Sequence, residues 1–135
     1  MGRMRGRILI VDDFDDAREL YAEFLRVQGY EVNGAADGPE ALNLALPAQY
    51  DVIVLDLALP RMDGLEVLRH LRRNPATRQT PIIILSASVG QEPRDDAIDA
   101  GADLFLEKPC LPDELEDAIE SMLSRKGKTA QSSRE

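Results

Sequence analysis

Hydrophobic positions along the chain switch back and forth between two periods. Ile8 to Val11 is an unbroken apolar run, and it gives way to Ala17, Leu20, Tyr21, Phe24 and Leu25 at helical spacing, stopped by Gly29. Tyr30-Glu31-Val32 predicts a short second strand. Asp37-Gly38-Pro39 then starts a helix through Leu46, with Pro39 suited to its first turn. Asp51 to Leu57, "DVIVLDL", is the kind of run found in a strand covered on both faces. After a turn at Pro60 to Gly64, Leu65, Val67, Leu68 and Leu71 predict a third helix ending near Asn74-Pro75. Pro81 to Leu85, "PIIIL", is the most hydrophobic strand, followed by a polar loop and a helix carrying Ala97, Ile98 and Gly101. Leu104-Phe105-Leu106 makes a fifth strand. Asp113 to Leu123 closes the pattern, with Leu115, Ala118, Ile119 and Met122 on one face.

Five strand-helix units in alternation require long right-handed crossovers, so the sheet should be parallel with helices on both faces. The expected fold is α/β, a three-layer, doubly wound five-stranded sheet spanning residues 7–124. Residues 1–6 read as an N-terminal tail, and 125–135, polar and small, as a flexible C-terminal tail.

Composition narrows the picture without changing it. At 135 residues the chain holds one domain. No apolar run approaches the roughly 18 residues of a membrane span, and the basic N-terminus leads into a run too short for a secretory signal, so the expected location is the cytoplasm, without membrane insertion. One cysteine, Cys110, precludes an internal disulfide, and it reads as a small buried hydrophobe rather than a redox thiol. A net charge of −9 argues against direct nucleic-acid binding. The single histidine, His70, stands among Arg69, Arg72 and Arg73 on a solvated helix face and argues against a His-rich metal site.

Candidate chemistry lies where the strands end. The first ends in Asp12-Asp13, the third in Asp56, the fourth in Ser86 and the fifth in Lys108. In open parallel sheets ligands bind beyond these ends, and with strand order 2-1-3-4-5 the five residues share one crevice. Asp12 could alternatively cap the first helix, but Asp15 or Asp16 is the better cap candidate. Three carboxylates brought together need a cation, and Mg²⁺ suits oxygen ligands best, with Mn²⁺ a possible substitute. A carboxylate beside Mg²⁺ can attack phosphorus while the metal and an ammonium neutralise the phosphoryl oxygens. Asp56, on the central strand, is the nucleophile of choice, with Lys108 and Ser86 set against the phosphoryl group.

These motifs, "ILIVDD", "DVIVLDLALPRMDGLEVL", "PIIILSA" and "AGADLFLEKP" in that order, resemble the response regulator receiver domain of two-component signalling, whose flavodoxin-like fold has strand order 2-1-3-4-5. The resemblance covers roughly Arg7 to Ser124 and points to a stand-alone, single-domain type. It implies that Asp13 binds Mg²⁺ directly and Asp12 largely through water, with the carbonyl of Ala58 completing the site. It implies that Asp56 becomes a phosphoaspartate, its phosphoryl group coming from a histidine kinase or histidine phosphotransfer protein. Ser86 and Phe105 take the switch positions, and Lys108-Pro109 the place of a cis-proline peptide.

The expected mechanism is a switch rather than conventional enzyme turnover, with self-phosphorylation from a phosphodonor and slow autodephosphorylation. Phosphorylation should draw in Ser86 and Lys108, let Phe105 turn inward, and change the surface of the fourth helix, fifth strand and fifth helix. That surface is acidic, with Glu92, Asp95, Asp96 and Asp99 before the strand and Asp113, Glu114, Glu116, Asp117 and Glu120 after it, so a partner docking there should be basic. No output module follows Ser124 in this sequence, so output is expected from a protein partner, from a change of oligomer (a monomer or a phosphorylation-linked dimer), or from a domain outside this sequence. Other readings make different demands. A degenerate receiver acting as a scaffold would normally lack Asp13, Asp56 or Lys108. A flavodoxin-like small-molecule binder would need an anion-friendly loop where Asp12-Asp13-Phe14-Asp15 stands. A phosphatase with an aspartate nucleophile should turn over an external substrate.

Overall fold

The computed structural model of the chain describes residues 4–88 and 90–132, the side chains of 126–132 excepted. Ten elements alternate: β1 (Arg7–Val11), α1 (Asp15–Val27), β2 (Glu31–Ala35), α2 (Gly38–Ala45), β3 (Val52–Leu55), α3 (Gly64–Arg73), β4 (Ile82–Ser86), α4 (Gln91–Asp99), β5 (Leu104–Glu107) and α5 (Pro112–Ser132). All strand pairs are parallel, in the order β2-β1-β3-β4-β5. No described helix is long and apolar enough to cross a membrane.

Side chains alternate across a strand, so each apolar run feeds two cores. Leu9, Val11, Ile53, Leu55, Ile82 and Ile84 pack with Ala41 and Ala45 of α2, Val67, Leu68 and Leu71 of α3, and Ala97 of α4. Their neighbours Ile8, Ile10, Val52, Val54, Ile83 and Leu85 pack with Tyr21, Ala22 and Leu25 of α1 and Leu115, Ile119 and Met122 of α5. A sheet buried on both faces is what continuous rather than alternating apolar runs require.

Register aligns the strand ends. Val11 pairs with both Ala35 and Leu55, so Asp12 and Asp56 leave the sheet at one level. Ser86 pairs with Glu107, which puts Lys108 just beyond it.

Local differences from the sequence expectations have local causes. Phe14, not Asp15 or Asp16, is the N-cap residue of α1, and both acids lie in its first turn, where the helix dipole favours them. Asp37 does cap α2, accepting the Glu40 N–H. Gly101 is not part of α4: it follows the C-cap Ala100 with φ of 113°, and a Cβ there would lie 2.8 Å from Arg72 Cγ. Helix α5 continues past its expected end at Leu123, through Ser132, into the segment read as a flexible tail. Arg125, Lys126, Lys128, Ala130 and Gln131 are good helix formers, which a reading of apolar periodicity overlooks. Residues 133–135 of that tail lie outside the described residues. At the other end Arg5 is tied down, pairing with Glu116 and Glu120 and stacking 4.5 Å over the Tyr30 ring.

Candidate functional site

The carboxylates of Asp12, Asp13 and Asp56 each offer an oxygen within 4.8 Å of the others. Asp12 and Asp56 are buried, 3% and 7% exposed, while Asp13 faces solvent. Backbone contacts fix the two buried acids: the Asp12 N–H donates to Ala35 O at 3.0 Å and the Asp56 N–H to Val11 O at 3.0 Å. Their side chains are engaged as well. Asp12 Oδ1 accepts the Phe14 N–H at 2.9 Å, and Asp56 Oδ1 accepts the Ala58 N–H at 3.1 Å. Asp13 has no side-chain partner among the described residues.

Lys108 closes the cluster from β5. Its Nζ lies 2.7 Å from Asp12 Oδ2 and 3.2 Å from Asp56 Oδ2, and its N–H donates to Ser86 O at 2.8 Å. Burial alone would lower the Lys108 pKa, but the hydrogen bond to Asp12 and the charges of Asp56 and Asp12 outweigh it and raise the pKa. The Lys108–Pro109 peptide is cis. One ammonium therefore pairs with two of the three clustered carboxylates, which leaves the crevice anionic. Hard oxygen donors at this spacing, one of them unpaired and open to water, fit a divalent cation such as Mg²⁺.

The remaining predicted residues fall at different distances from this centre. Ser86 is fully buried, its hydroxyl donating to Ser88 Oγ at 3.3 Å and accepting the Ser88 N–H at 3.2 Å. Phe105 is 4% exposed, packed in the core with the Arg94 guanidinium 4.9 Å over its ring. An inward Phe105 thus coexists with a Lys108–Asp56 ion pair, although the sequence reading reserved that position for the phosphorylated form. His70 stands exposed on α3. Cys110 is buried; burial first, and then the charges of Glu114 and Asp113, push its thiol pKa up.

Sequence reasoning missed what shapes the crevice from outside. A Cβ on Gly64 would meet the carbonyl oxygen of Asp56 and lie 2.5 Å from Leu57 Cα, so the α3 N-terminus can seat against the Asp56 strand end only with glycine there. The signal was present as the "MDG" of Met62 to Gly64. A cleft of about 510 Å³ opens beside Ala58 and Ser88, bordered by Asp63, Glu92 and Asp96.

Residues 8–120 match the response regulator receiver domain. The chain is 39% identical over 122 residues to the transcriptional regulatory protein SrrA of Staphylococcus aureus, covering 90% of this chain and 49% of that protein. It thus spans about half the length of the curated relatives it matches. Among solved structures it is similar to the chemotaxis response regulator CheY4 of Vibrio cholerae, with a TM-score of 0.82 and 35% identity over 87% of this chain and 98% of that one. It is also similar to the receiver domain of the sensor histidine kinase PA1611 from Pseudomonas aeruginosa, with a TM-score of 0.82 and 33% identity over 88% of this chain and 98% of that one, a structure with a magnesium ion coordinated in its active-site cleft. The sheet order, the acidic strand ends with their lysine and the sequence match agree: the chain belongs to the response regulator receiver domains, the phosphorylation-dependent switches of two-component signalling.

Proposed function

We propose that Asp56 is the phosphoacceptor and that the chain takes its phosphoryl group from a phosphohistidine on a histidine kinase or phosphotransfer protein. The observation that carries this reading is the cluster of three carboxylates, two of them paired with one ammonium, at the C-terminal edge of the sheet. Asp12, Asp13, Asp56 and the carbonyl of Ala58 would hold Mg²⁺, or Mn²⁺ in its place. When bound, the ion supplies charge neutralisation to the phosphoryl oxygens.

The chain's own groups do the rest. The Ala58 N–H orients the Asp56 carboxylate, leaving one oxygen to attack phosphorus as the bond to the donor nitrogen breaks. Lys108 moves from Asp56 Oδ2 onto the phosphoryl oxygens, keeping Asp12 as its second partner. Ser86 exchanges its bond to Ser88 for one to the phosphoryl group. Exposed Phe14 and Leu111, following Asp13 and Cys110 in the two flanking loops, give a donor protein an apolar footing. Exposed Ala58 leaves room for water, which supports autodephosphorylation.

Ser86 and Phe105 are the proposed switch residues. Because Phe105 is already buried, the change reaches α4 through Arg94, which stacks on the ring and pairs with Glu107 at 3.3 Å. The surface of α4, β5 and α5 then engages a basic output partner, or a second copy of the chain, in the cytoplasm. Intact mass after incubation with acetyl phosphate tests the reading. One phosphoryl group gained with Mg²⁺, and lost in Asp56→Asn, is the expected result; no gain on wild type beside an active control receiver overturns it.

A further inference from the structure

We infer that Arg18, seated across Gly34, is a positioning residue for the metal-binding turn that carries Asp12 and Asp13. This inference rests on the Mg²⁺ reading of the crevice and names the group that holds its shape.

The argument starts from the Asp12 carbonyl. Strand β1 has ended at Val11, so this oxygen needs a partner from outside the strand. Arg18, in the second turn of α1, reaches back and donates from one terminal nitrogen to Asp12 O at 2.7 Å, while the other pairs with Asp15 Oδ1 at 2.6 Å. One planar guanidinium thereby clasps both ends of the turn from Asp12 to Asp15. Asp13 lies between those ends. Its carboxylate is exposed and has no partner among the described residues, so only its backbone aims it at the crevice.

The seat of Arg18 is specific. Its side chain is 16% exposed, and its stem crosses β2 where residue 34 has no side chain. A Cβ on Gly34 would lie 3.0 Å from Arg18 Cδ and 3.3 Å from Cγ and Nε. The φ of Gly34 is not in the left-handed region, so glycine is needed for space and not for conformation.

Charge and positioning predict opposite signs, which makes the inference testable. A cation beside an anionic crevice repels Mg²⁺, so if charge were all that mattered, Arg18→Met would bind Mg²⁺ more tightly. If Arg18 positions the turn, its loss weakens binding, as removal of outer partners does at metal sites.

The experiment is a Mg²⁺ titration of the ¹⁵N-labelled 135-residue chain followed at the Asp13 amide, with thermal unfolding in EDTA as the control for folding. Arg18→Met should bind Mg²⁺ about 10-fold more weakly than wild type. Gly34→Val, which keeps every charge and crowds the Arg18 stem, should weaken binding in the same direction. Arg18→Lys, with the charge but not the fork, should fall between wild type and Arg18→Met. Binding by Arg18→Met that equals or exceeds wild type overturns the inference while leaving the Mg²⁺ reading intact. Absence of Mg²⁺ binding by wild type overturns both.

Discussion

Replacing Lys108 with methionine removes the cation that Asp12 and Asp56 share and keeps most of the side-chain volume. Nζ stands 2.7 and 3.2 Å from the two carboxylates, whose side chains are only 4% and 9% exposed. Near a protein surface a unit-charge pair at about 4 Å is worth roughly 4 kcal/mol before desolvation. Removing one partner of a buried pair costs about 3–5 kcal/mol, because the other charge stays behind. Lys108 is itself 21% exposed, which admits water and places the expected loss near 3 kcal/mol. At this chain length that lowers Tm by roughly 10 °C. The assay is thermal unfolding by circular dichroism in EDTA and then in excess Mg²⁺. At about 100 times its Kd the ion should restore about 2.7 kcal/mol, most of the loss. The pH dependence has a definite sign. The Lys108 pKa is raised in the folded state, so its contribution is complete below the ordinary lysine value and is lost only as alkaline pH passes the raised one. A Lys108→Met variant as stable as wild type in EDTA, and indifferent to Mg²⁺, would refute the claim that the crevice is held by charge compensation.

Three further outcomes follow from the same geometry. Asp13→Asn removes an exposed carboxylate from within 4.8 Å of two others; metal-free stability should rise, by at most about 1 kcal/mol, while Mg²⁺-dependent stabilisation disappears, both read from melts with and without Mg²⁺. Gly64→Ala should cost about 3 kcal/mol by chemical denaturation, since the new methyl meets backbone at Asp56 and Leu57; at an exposed helix position the same change stabilises by roughly 1 kcal/mol. The Cys110 thiol, buried and with its pKa pushed up, should react with Ellman's reagent at least about 10-fold more slowly at neutral pH in the native chain than in denaturant, and equal rates would contradict the placement of the side chain.

The sheet was legible because burial on both faces leaves a one-dimensional trace. Runs such as Ile8 to Val11 and Val52 to Leu55 have no solvent-facing side and therefore no polar alternation. The acids were legible for a related reason: Asp12 and Asp56 terminate buried strands, where a carboxylate costs free energy unless a partner compensates it. What stayed hidden depends on contacts between distant segments. Nothing in the helical period of α1 says that Arg18 turns back to Asp12 O, or that Gly34 on another strand makes room for it. Gly64 looked like part of a turn, yet it is required by the Asp56 carbonyl packed against it. The continuation of α5 through Ser132 reflects helix propensity without an apolar stripe, and the burial of Phe105 under Arg94 depends on how α4 sits on β5.

The most direct test of the central claim locates the acyl phosphate itself. The chain is incubated with acetyl phosphate and Mg²⁺, reduced with tritiated borohydride, which converts an acyl phosphate to labelled homoserine, and digested for peptide sequencing. The account predicts label at position 56 alone, dependent on Mg²⁺. Label at Asp12 or Asp13, or label at position 56 that is indifferent to Mg²⁺, would contradict it.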